Sequence, residues 1–148
     1  MIFGIGTDII EINRIKKAME RYPRFVDRLF SDEELEYYKD KQWNPQNIAG
    51  GFSAKEAVFK AIGTGLHKFK WKEVEIIRDI KGKPIVRLNG RVKEFADSNY
   101  IGLIHVSVTH CREYAAATAV AEVSLEKRWM DIESMLISAN EDCRRNIH

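Results

Sequence analysis

Two carboxylates stand where the surrounding pattern favours something else. Asp8 interrupts the apolar run MIFGIGTDIIEI, and Glu56 lies in GGFSAKEAVFKAIGTG, four residues before Lys60. In the second segment Ala54, Ala57, Val58, Ala61 and Ile62 fall at the three-and-four spacing of one buried helical stripe. Glu56 and Lys60 point away from that stripe, with Ser53 beside them. As a surface ion pair they would contribute only about 0.2–0.5 kcal/mol. A carboxylate within a strand is costly unless it is hydrogen-bonded, paired or bound to a metal. Asp8 therefore reads either as a strand-end residue bonded to backbone amides or as a ligand. Two carboxylates from separate elements, completed by water and a substrate phosphate, suit Mg²⁺. Nothing in the spacing brings Asp8 to Glu56.

Cations accompany both segments. The helix stops at Gly63, and Thr64 and Gly65 follow before Lys68, Lys70 and Lys72. A glycine turn beside ammonium groups suits a phosphate, because backbone can approach it closely. The P-loop pattern is absent. Alternation of those lysines with Phe69 and Trp71 also fits an exposed strand edge. Arg14, Arg21 and Arg28 are spaced seven apart, with Lys17 and Arg24 nearby, and Pro23 interrupts the helix they would share. Such a stripe is either a solvated face or a salt-sensitive docking face for an acidic helix. His105 and His110 flank VSVT without the further Cys or His that zinc would need.

The elements that must position these groups follow from periodicity. Residues 2–11 read as a mostly buried strand, and helical pattern runs from Ile12 through Ile15 and Met19 to Pro23. A second short helix begins near Pro23. Ser31 and Glu34 form a capping box opening a third. KQWNPQNIAGG reads as a loop before the Glu56 helix. VEIIRDIKGKPIVRLNG is a hairpin about a Gly-Lys-Pro turn, RVKEFADSNY a short helix, and IHVSVTH a half-buried strand. YAAATAVAEV is helical by propensity but is assigned as a strand by its place beside the previous one. The tail puts Leu125, Trp129, Ile132 and Leu136 on one helical face. The pattern predicts an α+β fold with an antiparallel sheet packed against helices.

Bulk properties narrow the function classes. A chain of 148 residues suits one domain, and a net charge of +2 is too small to argue for nucleic acid. Two separated cysteines, Cys111 and Cys143, suggest neither a disulfide framework nor a zinc site. The N-terminus lacks a basic segment before its apolar run, and no stretch approaches the roughly 20 apolar residues of a membrane span. A soluble, cytoplasmic protein without membrane or nucleic-acid partners is expected.

Four segments together resemble the holo-acyl-carrier-protein synthases, the short group of phosphopantetheinyl transferases. These are GIGTDIIEI, AGGFSAKEAVFKAIGTG, the GKP turn and HVSVTHCREYAAA, in that order within the first 122 residues or so. The resemblance implies transfer of 4′-phosphopantetheine from coenzyme A to a serine of apo acyl carrier protein. It implies Mg²⁺ at Asp8 and Glu56, and Lys60 near the pyrophosphate. It places Gly63, Thr64, Gly65, Lys83, Pro84 and His105 at coenzyme A. It gives Arg14, Arg21 and Arg28, with Arg24 beside them, to the carrier protein. It also implies a homotrimer with interfacial sites.

Residues 1–122 would then be the transferase domain and 123–148 a helical extension packing on a neighbouring subunit. Three features depart from the family: Gly51 replaces the usual arginine of GRFAAKEA, Thr109 replaces serine, and the tail is long. Gly51 predicts weaker coenzyme A binding or compensation by a lysine elsewhere. The main alternative from another class is a non-catalytic carrier-protein docking module, which would have no use for Asp8 and Glu56. A Mg²⁺-dependent nucleotide hydrolase would instead break down coenzyme A without a protein acceptor.

Overall fold

The computed structural model describes residues 1–64 and 68–145, with side chains as far as residue 137. The chain forms strand β1 (Ile2–Glu11), helices α1 (Ile12–Arg21), α2 (Phe25–Leu29), α3 (Asp32–Asp40) and α4 (Pro45–Ile62), then strands β2 (Val74–Arg78) and β3 (Pro84–Leu88). Helix α5 (Gly90–Ser98), strands β4 (Ile101–His110) and β5 (Tyr114–Val123), and helix α6 (Leu125–Arg145) complete it. β1, β5 and β4 make one antiparallel sheet in that order, and β2 and β3 form a separate hairpin. The α+β expectation and the strand assignment of the alanine run both hold.

Helix α4 lies on one face of the three-stranded sheet, and small residues let it approach closely. Ala115, Ala117, Ala119 and Ala121 of β5 are buried beneath it. A Cβ added at Gly4 would lie 2.2 Å from the Ala61 carbonyl oxygen, and one at Gly6 would lie 2.0 Å from that of Ala57. The two elements march in step, because two residues of strand span about 6.6 Å and four residues of helix about 6 Å. Gly4 meets Ala61 and Gly6 meets Ala57, so Asp8 arrives at Ser53.

α4 begins earlier than the sequence pattern predicts. The segment read as a loop contains its first two turns: the Asn44 side chain accepts from the Gln46 amide at 2.9 Å, and Pro45 opens the helix. Gly63, with φ +78°, ends it as expected. The Ser31–Glu34 capping box is present at the start of α3. Residues 71–73 form a 3₁₀ turn, not an exposed strand edge, and Trp71 stacks on Phe52.

β1 is not mostly buried. Its inner face packs under α4, but Phe3, Ile5 and Ile9 on the outer face stay exposed, the last 67% so. Leu103 of β4 is also exposed. No helix among the described residues is long and apolar enough to cross a membrane.

Candidate active site

Asp8, Glu56 and Lys60 come together where β1 crosses α4. The Ser53 hydroxyl donates to Asp8 Oδ2 at 3.0 Å, and Lys60 Nζ donates to Asp8 Oδ1 at 2.9 Å. Lys60 Nζ also donates to the Thr7 carbonyl at 2.8 Å. Glu56 lies one helical turn from both Ser53 and Lys60 on the same face of α4. Burial raises the Glu56 pKa, the charge of Asp8 raises it further, and Lys60 partly opposes both. Two carboxylates thus face each other with one ammonium and one hydroxyl between strand and helix.

Among the described residues no third carboxylate, histidine or cysteine joins this pair. Two hard oxygen donors leave most of an octahedral sphere to water and a phosphate, which is the donor set Mg²⁺ prefers. The residues present fit that ion. Thr64, just past the end of α4, has a buried Oγ1 with no hydrogen-bond partner among the described residues. A Cβ at Gly63 would meet nothing within 4 Å, so the turn faces open space. Gly65 lies outside the described residues.

The other expected coenzyme A contacts form a separate group. Lys83, Pro84 and His105 line one groove of about 620 Å³ beside β3 and β4. His105 Nε2 bonds Glu122 Oε1 at 2.8 Å. In register, Asp8 aligns with Ala117 and Val108, whereas His105 aligns with Val120 and Ile5. Asp8 therefore points to the α4 face from one edge strand, and His105 points to the opposite face from the other. A single chain does not unite the two groups.

The arginines lie on a third surface. Arg14 and Arg21 on α1, Arg24 before α2 and Arg28 on α2 are exposed, and none makes an ion pair with a described residue. The break at Tyr22–Arg24 separates the two helices, as Pro23 predicts. Arg24 and Arg28 line a groove of about 520 Å³ with Phe25 and Trp71.

Sequence reasoning passed over the residue between these groups. Lys55 is fully buried and donates to Glu34 Oε2 and the Leu29 carbonyl, both at 2.7 Å, and to the Trp71 carbonyl at 3.3 Å. Glu34 Oε1 accepts from the Ile76 amide at 2.9 Å. Burial lowers the Lys55 pKa while Glu34 raises it. The signal was present, because Lys55 lies one and two turns from the apolar Phe59 and Ile62 on α4.

A sequence model of the 4′-phosphopantetheinyl transferase superfamily matches residues 4–119. The chain belongs to that superfamily. The match takes in both carboxylates, residues 63–65, the Gly-Lys-Pro segment and His105. Among transferases of this family, the holo-acyl-carrier-protein synthase of Clostridium acetobutylicum is 50% identical over 123 residues, covering 83% of this chain and 99% of that protein. That of Clostridium novyi is 49% identical over 123 residues, covering 83% and 89%. The Helicobacter pylori holo-acyl-carrier-protein synthase, solved in complex with coenzyme A, superimposes with TM-score 0.71 at 33% identity, over 80% of this chain and 99% of that one. The Bacillus anthracis synthase, in complex with CoA (3′,5′-ADP), gives 0.70 at 35% identity, over 84% and 99%.

Proposed function

We infer that the chain transfers the 4′-phosphopantetheine group of coenzyme A to a serine of apo acyl carrier protein, with Mg²⁺ and release of adenosine 3′,5′-bisphosphate. The juxtaposition of Asp8, Glu56 and Lys60 carries this reading, because it provides two carboxylates for a hard cation and an ammonium for a phosphate. Relatives named holo-acyl-carrier-protein synthase at about half identity and solved relatives holding coenzyme A support it.

The serine oxygen would form a bond to the phosphorus bearing pantetheine, and the bond from that phosphorus to the bridging oxygen would break. The electron pair leaves with the bisphosphate. Asp8 and Glu56 would hold Mg²⁺, which when bound offsets the charge of the pyrophosphate and of the departing phosphate. Lys60, now on Asp8, would turn its remaining donor capacity to a phosphate oxygen. Glu56, the chain's own carboxylate at this point, or a water held beside it would take the serine proton. The unpartnered Thr64 hydroxyl, with Gly63 and Gly65 beside it in sequence, would approach the nucleotide.

Lys83, Pro84 and His105 would complete the site from a neighbouring subunit, since His105 faces away from Asp8 within one chain and shares its groove with Lys83 and Pro84. The exposed apolar face of Phe3, Ile5, Ile9 and Leu103 suits burial in a homotrimer. Arg14, Arg21, Arg24 and Arg28 would receive the acidic carrier protein. Residues 1–122 would form the transferase domain, with 123–148 as an extension. The reaction would belong in the cytoplasm.

The test is a carrier-protein mass measurement after incubation with coenzyme A and Mg²⁺. A phosphopantetheine-sized gain with the native chain, abolished in Asp8→Ala and Glu56→Ala, is the expected result. No gain with a competent carrier would overturn the reading in favour of a docking module.

A further inference from the structure

The chain beyond β5 has no part in the proposed transfer. Helix α6 (Leu125–Arg145) lies past residue 119, where the superfamily match ends. The Ser124 amide donates to the Tyr100 carbonyl at 2.6 Å, Lys127 pairs with Asp97 of α5, and the Asp131 carboxylate faces the Tyr100 hydroxyl. The helix therefore meets the rest of its own chain through polar groups.

Its apolar residues lie on the far side. Leu125, Trp129, Ile132 and Leu136 recur at steps of four, three and four, and all are exposed, Trp129 by 67%. At 3.6 residues per turn their stripe stands roughly 150° round the helix from Lys127 and Asp131. An apolar stripe turned away from its own subunit marks an interaction surface. The acids and bases of α6 nearly cancel, five against four, which does not suit an anionic lipid surface.

The spacing specifies a like partner. Written as a heptad, Trp129 and Leu136 take position a, and Leu125 and Ile132 take position d; Ala139 and Cys143 continue the alternation in sequence. Leucine at a with isoleucine at d favours more than two strands. Arg128 then falls at g and Glu133 at the following e, one on each side of the stripe. Neither makes an ion pair with a described residue. In a parallel coiled coil a g residue meets the following e residue of the neighbouring helix, so Arg128 would face Glu133 of a second copy.

The surface beside α6 points the same way. The Val123 amide donates to the Met1 carbonyl at 2.8 Å, and a Cβ at Gly102 would lie 3.3 Å from Ser124. The stripe thus starts near Phe3 and Leu103, at the end of the apolar sheet face that the proposed homotrimer would bury.

We propose that the α6 helices of three copies of this chain wind together as a parallel coiled coil, extending the contact between their sheets. The number of strands rests on the homotrimer of the proposed function, whereas the self-association rests on the α6 stripe alone. Three copies about one axis bring their helices together in parallel, as the Arg128–Glu133 pairing requires.

Disulfide cross-linking of the full chain, with Cys111 and Cys143 replaced by serine, tests this beside sedimentation. Leu136→Cys on the seam is expected to cross-link under mild oxidation, and Ser134→Cys on the opposite side is expected not to. Ile132→Asp should raise the concentration at which half the assembly dissociates by about 100-fold or more, because it puts an unpaired charge in the seam. Arg128→Glu should raise it about threefold, and adding Glu133→Arg should reverse that rise. The charge swap keeps the seam under test where Ile132→Asp does not fold. A native trimer with no Leu136→Cys cross-link and no response to Ile132→Asp would overturn the proposal and leave the homotrimer standing. Equal cross-linking at both cysteine positions would also overturn it. A monomeric native chain would overturn the proposal and the homotrimer together. The carrier-protein mass gain, measured on the same preparations, judges the transferase reading separately.

Discussion

Lys60 bonds across to Asp8 at 2.9 Å instead of pairing with Glu56 one turn back on its own helix. The helical spacing alone suggests a local ion pair, but the strand-to-helix approach sets a different partner. Because Thr7 carbonyl and Asp8 share the ammonium, Lys60 ties β1 to α4 at the point where both carboxylates converge. The Lys60 side chain is half exposed, so the contact contributes at most about 1 kcal/mol to stability.

Lys60→Met should therefore lower kcat with little change in melting temperature. A loss on the order of 10²-fold is expected, the usual scale for a preorganised charge at a phosphoryl centre. Steady-state kinetics at saturating coenzyme A, beside a thermal melt, separates the two effects. A fall in melting temperature that matches the loss of activity would assign Lys60 a merely structural role.

Glu56 carries the opposite balance between stability and function. Burial and then Asp8 raise its pKa above the ordinary 4.5, so ionisation costs more in the folded chain than in the unfolded one. The stability linked to the protonated form is complete below 4.5 and is lost as pH rises through the folded-state value. Glu56→Gln should thus melt higher than the native chain at neutral pH without metal, and the gap should close as pH is lowered. Added Mg²⁺ should raise the native melting temperature and leave Glu56→Gln unmoved, since a ligand stabilises only the state that binds it. Melts across pH, with and without Mg²⁺, measure both effects.

The residues of the site were legible one by one, as a carboxylate in a strand and a polar face on a helix. Their meeting was not, because no spacing in the sequence brings Asp8 to Glu56. A strand step of two against a helix step of four brings Gly4, Gly6 and Asp8 to Ala61, Ala57 and Ser53, and each of those residues is visible in the sequence. What was not legible depends on contacts between distant segments. Asn44–Pro45 reads as a loop pair until the amide that Asn44 caps is in view. The apolar outer face of β1 reads as buried because the sequence does not say that this chain supplies nothing to cover it. Arg78 looks like any hairpin-end cation, and only the packing around it shows a buried donor without a partner among the described residues.

Lys55 and Glu34 tie α4 to α3, and through backbone bonds to α2, the 3₁₀ turn and β2. Lys55→Met would leave Glu34 buried without its cation, and loss of one member of such a pair costs about 3–5 kcal/mol. Chemical denaturation should show a lower midpoint with an unchanged slope. The double variant Lys55→Met with Glu34→Leu should recover part of the loss, because it removes the stranded charge.

Gly51 gives a test of packing. Introducing the arginine that the family resemblance leads one to expect, as Gly51→Arg, would drive a Cβ to 1.8 Å from Tyr38 Oη and 3.1 Å from Phe30 Cε1. Overpacking of this kind costs about 1–3 kcal/mol or more. Gly51→Arg should melt well below the native chain and gain no affinity for coenzyme A. Combining it with Tyr38→Leu should restore much of the stability, since the clash is with that ring and hydroxyl. An arginine accepted without loss would mean that Tyr38 moves freely, contrary to its buried place between Phe30 and Tyr37.

The exposed arginines predict how the carrier protein is engaged. Arg14 and Arg21 lie on α1, which begins four residues after Asp8, so a partner docked there would sit close to the carboxylates. Neither makes an ion pair with a described residue, and reversing their charge removes no internal contact of that kind. Arg14→Glu with Arg21→Glu should raise KM for the carrier protein by tenfold or more, roughly the cost of like-charge contacts. The KM for coenzyme A and the melting temperature should stay near their native values. The native chain's KM for the carrier should climb with salt, whereas that of the reversed variant should respond weakly or fall. Kinetics at two ionic strengths decides it: parallel salt responses in both proteins would place the carrier on another surface.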